Sequence, residues 1–409
     1  MTEEKLPRRD WVLLPLIGLL TVWVIVAGFR LMAGWMFPAA ATTMGGCLII
    51  DDRSTGTRAI PNSVCVGQSY ETGATEYRYN SCGHRAGMDC GPKPRGTYRI
   101  VMIGSSFNFG MWVPREKSFA ALLPDELSIG TGRKVELYNE SMLGGWPHSV
   151  ALRLQEVYAA QPDMVLWVLS PRDVRNSSKV LLADLNASAK SAATAPAAVR
   201  QASLVDRIRY RIDVSLAGNS LQDALGVMWT RFFDGMTNSL TKSRSGVLLQ
   251  HILYASRTQY LKSYLMAPEL DDDTADPGYL RATPSAKWQS YLQQFEIYAA
   301  EIEQSARAAG VPLVTVLVPE RAQAAMISMG QWPEGYDPYK VGEEVRSIIT
   351  RHGGIYVDIL PDFRSIPDPE RSYFPVDGHP DGNGHAIIAR LIAKELTRGE
   401  VPALRVASK

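Results

Sequence analysis

The stretch Tyr98-Arg-Ile-Val-Met-Ile-Gly-Ser-Ser-Phe-Asn-Phe-Gly110 constrains the fold more than any other. Its apolar core, Ile100 to Ile103, is too short for a buried helix and fits a central strand. Straight after it come Gly104, Ser105 and Ser106. In a parallel α/β sheet, ligands sit outside the carboxyl ends of the strands, where these hydroxyls fall. Gly104 permits a sharp turn and keeps the approach to Ser106 open. Read alone, the same residues also describe an ordinary strand-to-helix turn with a capping serine.

A second stretch, Phe374-Pro-Val-Asp-Gly-His-Pro-Asp-Gly-Asn-Gly-His385, precedes a helix predicted over residues 386–396. Its Gly, Pro and Asn make it a loop that presents His379. Asp377 and His379 are two apart, so in extended chain they point the same way. The carboxylate is then placed to fix the imidazole tautomer and to stabilise its charged form.

These residues resemble the SGNH (GDSL-type) esterases and acyltransferases. Gly104-Ser105-Ser106-Phe107 is similar to the first block, usually Gly-Asp-Ser-Phe, and the resemblance makes Ser106 the nucleophile. Asn139-Glu-Ser-Met-Leu-Gly144 resembles the second, whose glycine amide helps form the oxyanion hole. Ser170-Pro-Arg-Asp173 stands where Gly-x-Asn-Asp belongs, and Asp377-Gly-His379 resembles the last block. The run from Tyr79-Asn80 to Arg85 is similar to a lead-in of one branch. The resemblance covers residues 77–180 and 285–396, in the family's order. It implies a three-layer, flavodoxin-like parallel sheet with helices on both faces, and a Ser-His-Asp triad that needs no cofactor. Ser105 replaces the usual Asp, and Arg172 replaces the oxyanion-donating Asn. Arg172 either stabilises the oxyanion or pairs with Asp173 or another acid and blocks the pocket. The position three before the histidine, commonly Asp, is Val376. A spacing of two is similar to the periplasmic polysaccharide acetyltransferase branch.

The chain of 409 residues has room for one large domain or two modest ones. Its 43 basic and 42 acidic residues leave a net charge of +1, which gives no field to attract nucleic acid. Residues 1–10 are polar, with Lys5, Arg8 and Arg9. From Trp11 to Phe29 no charge appears, and after Arg30 the next basic residue is Arg53. A transmembrane helix over residues 11–31 is expected, with a cytoplasmic N-terminal tail and the bulk of the chain periplasmic, at a bacterial inner membrane. The competing reading is a signal peptide cleaved near Ala39-Ala-Ala41.

Cys47, Cys65, Cys82 and Cys90 all lie just beyond. An even count confined to one segment reads as two disulfides stapling a neck over residues 32–95, with three pairings open. Zinc is disfavoured, because no Cys-x-x-Cys occurs and His84 is the only nearby imidazole.

The α/β domain is expected over residues 96–400. Helices are read over 118–127, 147–160, 285–309 and 341–352, and strands over 135–138, 164–169, 312–318 and 355–360. Gly144 and Gly145 read either as amides facing an oxyanion or as a simple turn. His148 is a substrate contact or a helix-start residue. Residues 175–284 form a helical insertion. Within it, 185–198 reads as an Ala/Ser-rich loop and 271–276 as a solvated acidic loop. An apolar stripe of Val247, Leu248, Ile252 and Leu253 is a core face, a lid, a partner face or a membrane-resting surface. His251 and His352 read as structural, and His385 as a packing or capping residue. Asp377, His379, Asp381 and His385 are all ligand types, but their loop spacing does not place them around one metal. An α/β-hydrolase elbow is excluded because position 108 is Asn, not Gly.

The sequence therefore points to a membrane-anchored, periplasm-facing serine esterase or O-acyltransferase. Its substrate is expected to be an acylated, in the first place acetylated, envelope glycan or another small ester. The alternative is a catalytically silent scaffold or accessory subunit with a membrane protein partner.

Overall fold

The computed structural model of the chain describes residues 10–50, 57–177, 243–266 and 277–405. The loops expected over 185–198 and 271–276 lie outside these residues. The chain forms two compact units.

The larger unit is built on five parallel strands: β1 (Thr97–Ile103), β2 (Lys134–Asn139), β3 (Met164–Leu169), β4 (Leu313–Leu317) and β5 (Ile355–Val357). Their order is β5-β4-β3-β1-β2, the flavodoxin-like arrangement. β1, β3 and β4 are buried at every position, as parallel strands covered on both faces must be. Register is continuous through the centre, with Met102 opposite Asn139 on one side and Leu166 on the other, and Leu166 opposite Val314.

The covering helices are α1 (Phe119–Thr131), α2 (Pro147–Ala159), α3 (Ala286–Ala308), α4 (Arg321–Met329), α5 (Lys340–Arg351) and α6 (Gly382–Glu395). α1 packs with α6, while α3 packs with both α2 and α5, which gives two helical layers around the sheet. Trp288, Phe295 and Ile302 of α3 are buried at helical spacing.

Two expectations need correction, and one element had none. β5 stops at Val357 rather than running to residue 360, because the Asp358 side chain accepts from Leu360 N (3.1 Å) and also pairs with Arg346. α6 begins at Gly382, inside the expected loop, because Asp381 Oδ1 caps it by accepting from Asn383 N (2.8 Å) and Gly384 N (2.9 Å). α4 was not anticipated. Its Ala322, Ala324, Ala325, Met326 and Ile327 are all buried, so no one-sided stripe marks it.

Residues 41–50, 57–67 and 74–95 belong to this same unit. They carry two disulfides, Cys47–Cys65 and Cys82–Cys90. A second, smaller core forms here from Met44, Cys47, Leu48, Ala59, Cys65, Tyr77 and Tyr79, and it includes Phe109 and Met111 from the chain following β1.

In the other unit, a helix spans Asp10–Met36. Its Leu13–Met36 stretch is long and apolar enough, by length and composition, to cross a bilayer. Ala33 and Phe37 are buried, with the Phe37 ring 4.9 Å from that of His251. His251 Nε2 lies 2.7 Å from the buried carboxylate of Glu71. The expected stripe divides within helix Arg244–Tyr254: Val247 and Leu248 are buried, while Ile252 and Leu253 are exposed.

Candidate active site

The carboxyl ends of the strands bring the sequence-predicted residues together. β1 neighbours both β2 and β3, so strand order reverses beside it, and Ser106 begins the short helix Ser106–Phe109 at that reversal. A side chain at Gly104 is impossible: its Cβ would lie 1.8 Å from Asn108 Nδ2 and 2.5 Å from Val168 O. That space is needed because Asn108 Nδ2 donates to Ile103 O (3.0 Å) and Val168 O (2.6 Å), tying the ends of β1 and β3. Asn139 Nδ2 donates in turn to Asn108 O (2.9 Å), which fastens β2 to the same point.

His379 arrives from the loop before α6. Its Nε2 lies 2.8 Å from Ser106 Oγ and its Nδ1 lies 2.5 Å from Asp377 Oδ1. The backbone N–H of His379 also donates to Asp377 Oδ1 (3.2 Å), so the spacing of two closes a small ring around the carboxylate. The Phe107 ring packs 4.9 Å from the imidazole. Ser106 is half-buried and His379 is 6% exposed, so the hydroxyl is reachable while the imidazole is shielded.

Trp112 was not singled out by the sequence. Its Nε1 donates to Asp377 Oδ2 (2.9 Å), the oxygen that His379 leaves open. Burial by itself would raise the Asp377 carboxyl, but the His379 imidazole, the Trp112 indole and the Arg172 charge more than reverse this and bring it down to about 2. Asp377 is therefore an anion wherever the protein is folded near neutrality.

The two substituted positions find physical roles. Ser105 is buried, and its hydroxyl bonds to Asp173 at the end of β3. Asp173 also accepts from Ser170 N and Oγ, both at 2.7 Å. Burial pushes the Asp173 carboxyl up, and the hydroxyls of Ser105 and Ser170 pull against that rise. Arg172 adds a charge that also pulls against the rise of Asp173. Its Nε lies 3.8 Å from Glu320 Oε1, just past β4, and its charge acts on Asp377.

The two glycine amides differ in their partners. Gly144 has φ +66°, and its amide has no carbonyl partner among the described residues. The Gly145 amide is committed to Met142 O (3.0 Å), a turn bond, so of the two amides only that of Gly144 is without a carbonyl partner among the described residues. A Cβ on Gly145 would meet Gly104 O at 2.3 Å, which makes this residue a close-packing point.

Other candidates fall outside the cluster. His148 starts α2 and packs edge-on against Tyr298 (5.2 Å). His352 Nε2 lies 3.1 Å from Glu296 Oε1. His385 is buried and accepts from Phe119 N at the start of α1 (3.2 Å); burial, with the charges of Arg85 and His379, lowers it to about 3. Among the described residues, no group of three or more His, Cys, Asp or Glu is arranged to hold a metal ion.

Arg85 completes the surroundings from the opposite wall. It is buried, and its guanidinium donates to Phe109 O (2.6 Å), Gly110 O (2.7 Å) and Val113 O (2.6 Å). It thus grips the turn joining Ser106 to Trp112. Only the lead-in resemblance signalled it in the sequence.

No protein-family model matches the chain, and no curated protein matches it. Among solved structures, TesA is similar over 73% of this chain and 98% of its own, at 11% identity and a TM-score of 0.34. The psychrotrophic esterase EstA from Pseudoalteromonas sp., in a form inhibited by monoethylphosphonate, is similar over 73% of this chain and 97% of its own, at 9% identity and a TM-score of 0.33. At that level of likeness, the site geometry carries the functional argument by itself.

Proposed function

We propose that the chain is a serine esterase or O-acyltransferase of SGNH type. The observation that carries this reading is the continuous contact from Asp377 through His379 to Ser106, at 2.5 and 2.8 Å. A serine hydroxyl is a weak nucleophile until a base takes its proton, and His379 Nε2 is within reach to do so. Ser106 Oγ attacks the ester carbonyl while its proton passes to Nε2, and Asp377 stabilises the imidazolium through Nδ1. The oxyanion is received by the amides of Ser106 and Gly144, with Arg172 adding positive charge nearby. The imidazolium then protonates the departing alkoxide. Water, or a sugar hydroxyl, attacks the acyl-enzyme with His379 again acting as base.

The substrate is an acyl ester, acetyl by preference, on a glycan of the bacterial envelope. What supports this reading is an apolar helix of membrane-spanning length together with two disulfides, which persist in an oxidising compartment outside the cytoplasm. Residues 11–31 form the anchor. The test is the intact mass of the full chain in detergent after exposure to a fluorophosphonate, beside Ser106→Ala. One adduct on the parent protein and none on the variant is expected. A folded parent that takes no adduct overturns the triad and leaves the scaffold reading.

A further inference from the structure

The short helix Pro171–Arg175 puts a charged side chain, Arg172, where the resembled family has a neutral amide. In the reaction proposed above, His379 becomes an imidazolium when it takes the Ser106 proton. A guanidinium close by disfavours that second cation. Arg172 therefore needs a counter-charge.

The strand ends supply one. β3 and β4 pair in parallel with Leu169 opposite Leu317, and Val318 N donates to Leu169 O (2.7 Å). Arg172 comes three residues after Leu169 and Glu320 three residues after Leu317, so both leave neighbouring strands at the same edge of the sheet. Arg172 Nε and Glu320 Oε1 are 3.8 Å apart, an ionic contact rather than a hydrogen bond. Their side chains are 25% and 13% exposed, so water and salt screen the pair only in part.

Glu320 holds the N-cap position of α4, yet its side chain makes no capping bond. Tyr264 Oη instead donates to Glu320 Oε2 (3.4 Å), and Oε1 is the oxygen nearest Arg172. The residues on either side of Glu320 bond to the loop that carries the triad. Tyr373 Oη donates to Pro319 O (2.9 Å), and Arg321 Nη1 donates to Pro375 O (2.6 Å). Tyr373 and Pro375 both come shortly before Asp377. The other charged groups here are accounted for. The Arg321 guanidinium also donates to Glu370 O (3.2 Å) and lies over the Tyr260 ring (3.8 Å), and Arg172 faces Asp173 on its own helix. Burial keeps Tyr260, Tyr264, Tyr279 and Tyr373 protonated, so they bring no charge.

On the esterase reading, we propose that Glu320 acts on the triad through Arg172: its carboxylate offsets the guanidinium charge felt at Asp377 and His379, so that the imidazolium forms beside a balanced pair.

The test is the rate of fluorophosphonate labelling of the full chain in detergent, followed across pH. The acid limb of that profile reports the protonation of the base in the free enzyme. Glu320→Gln removes a negative charge and makes the imidazolium less favourable. The limb should move down by about half a pH unit, and the plateau rate should fall by about threefold. Arg172→Met should move the limb up by about as much, and the double variant should return it to the parent's position. Glu320→Asp keeps the charge and should keep the parent's limb. Melting checks that each variant is folded. If Glu320→Gln does not fold, the double variant set against Arg172→Met reads the same downward shift. A labelled parent whose limb stays in place in Glu320→Gln overturns this proposal alone, even if the rate falls, because a merely structural carboxylate would slow labelling without moving the limb. Single variants that shift the limb in the same direction overturn it too, as does a Glu320→Asp limb displaced as far as that of Glu320→Gln. A parent that takes no adduct overturns the esterase reading and this proposal with it.

Discussion

Trp112 is the residue on which the geometry of the site turns. It is not a glycine, yet its φ is +67°, a conformation that costs of order 1–3 kcal/mol and persists only where surroundings enforce it. Here Tyr77 Oη accepts from its backbone N (2.9 Å) and the Thr75 hydroxyl donates to its carbonyl (3.3 Å). What the strain secures is the indole bond to Asp377. Trp112→Phe removes that charge-assisted bond while keeping an aromatic ring. It should lower kcat/KM by about 10-fold and stability by about 1–3 kcal/mol, measured by ester hydrolysis and urea melts. The same variant should change acid behaviour. Asp377 titrates lower in the folded chain than in the unfolded one, so its stabilisation is present above about pH 4 and drains away as pH falls toward 2. Losing the indole raises the folded value, so acid unfolding should begin at higher pH, as followed by circular dichroism. Ser106, Asp377 and His379 were legible in the sequence because a strand end and a spacing of two are local facts. Trp112 and Asn108 were not, because their roles depend on where a turn carries them.

At the scale of elements, the disulfide segment is part of the wall of the site. Its small core takes in Phe109 and Met111, and Arg85 reaches from the loop closed by Cys82–Cys90 to the turn after Ser106. Closing a loop over a separation of 8 residues is worth about 2.5 kcal/mol in the chain-entropy model. The pair Cys82→Ser with Cys90→Ser should therefore lose about that much stability. It should also lose ester hydrolysis by more than unfolding explains, measured on the folded fraction at low temperature. Even cysteine count announced the bridges, but pairing depends on which strands meet, and no local pattern records that. The strands β1, β3 and β4 were legible because burial on both faces forces uninterrupted apolar runs. The buried helix α4 was hidden by the same circumstance, since a helix buried all round has no period to read.

At the scale of the molecule, the apolar helix lies in one compact unit and the sheet in the other. The proposed topology makes a direct prediction. A β-lactamase joined after Lys409 should protect growing cells from ampicillin, and deletion of residues 1–36 should abolish that protection while the fusion is still made. The grip of Arg85 also ties the turn after Ser106 to a loop cross-linked by its own bridge, since Arg85 lies between Cys82 and Cys90. Joining two sulfurs about twenty residues before Ser106 therefore bears on how firmly the backbone just beyond that serine is held.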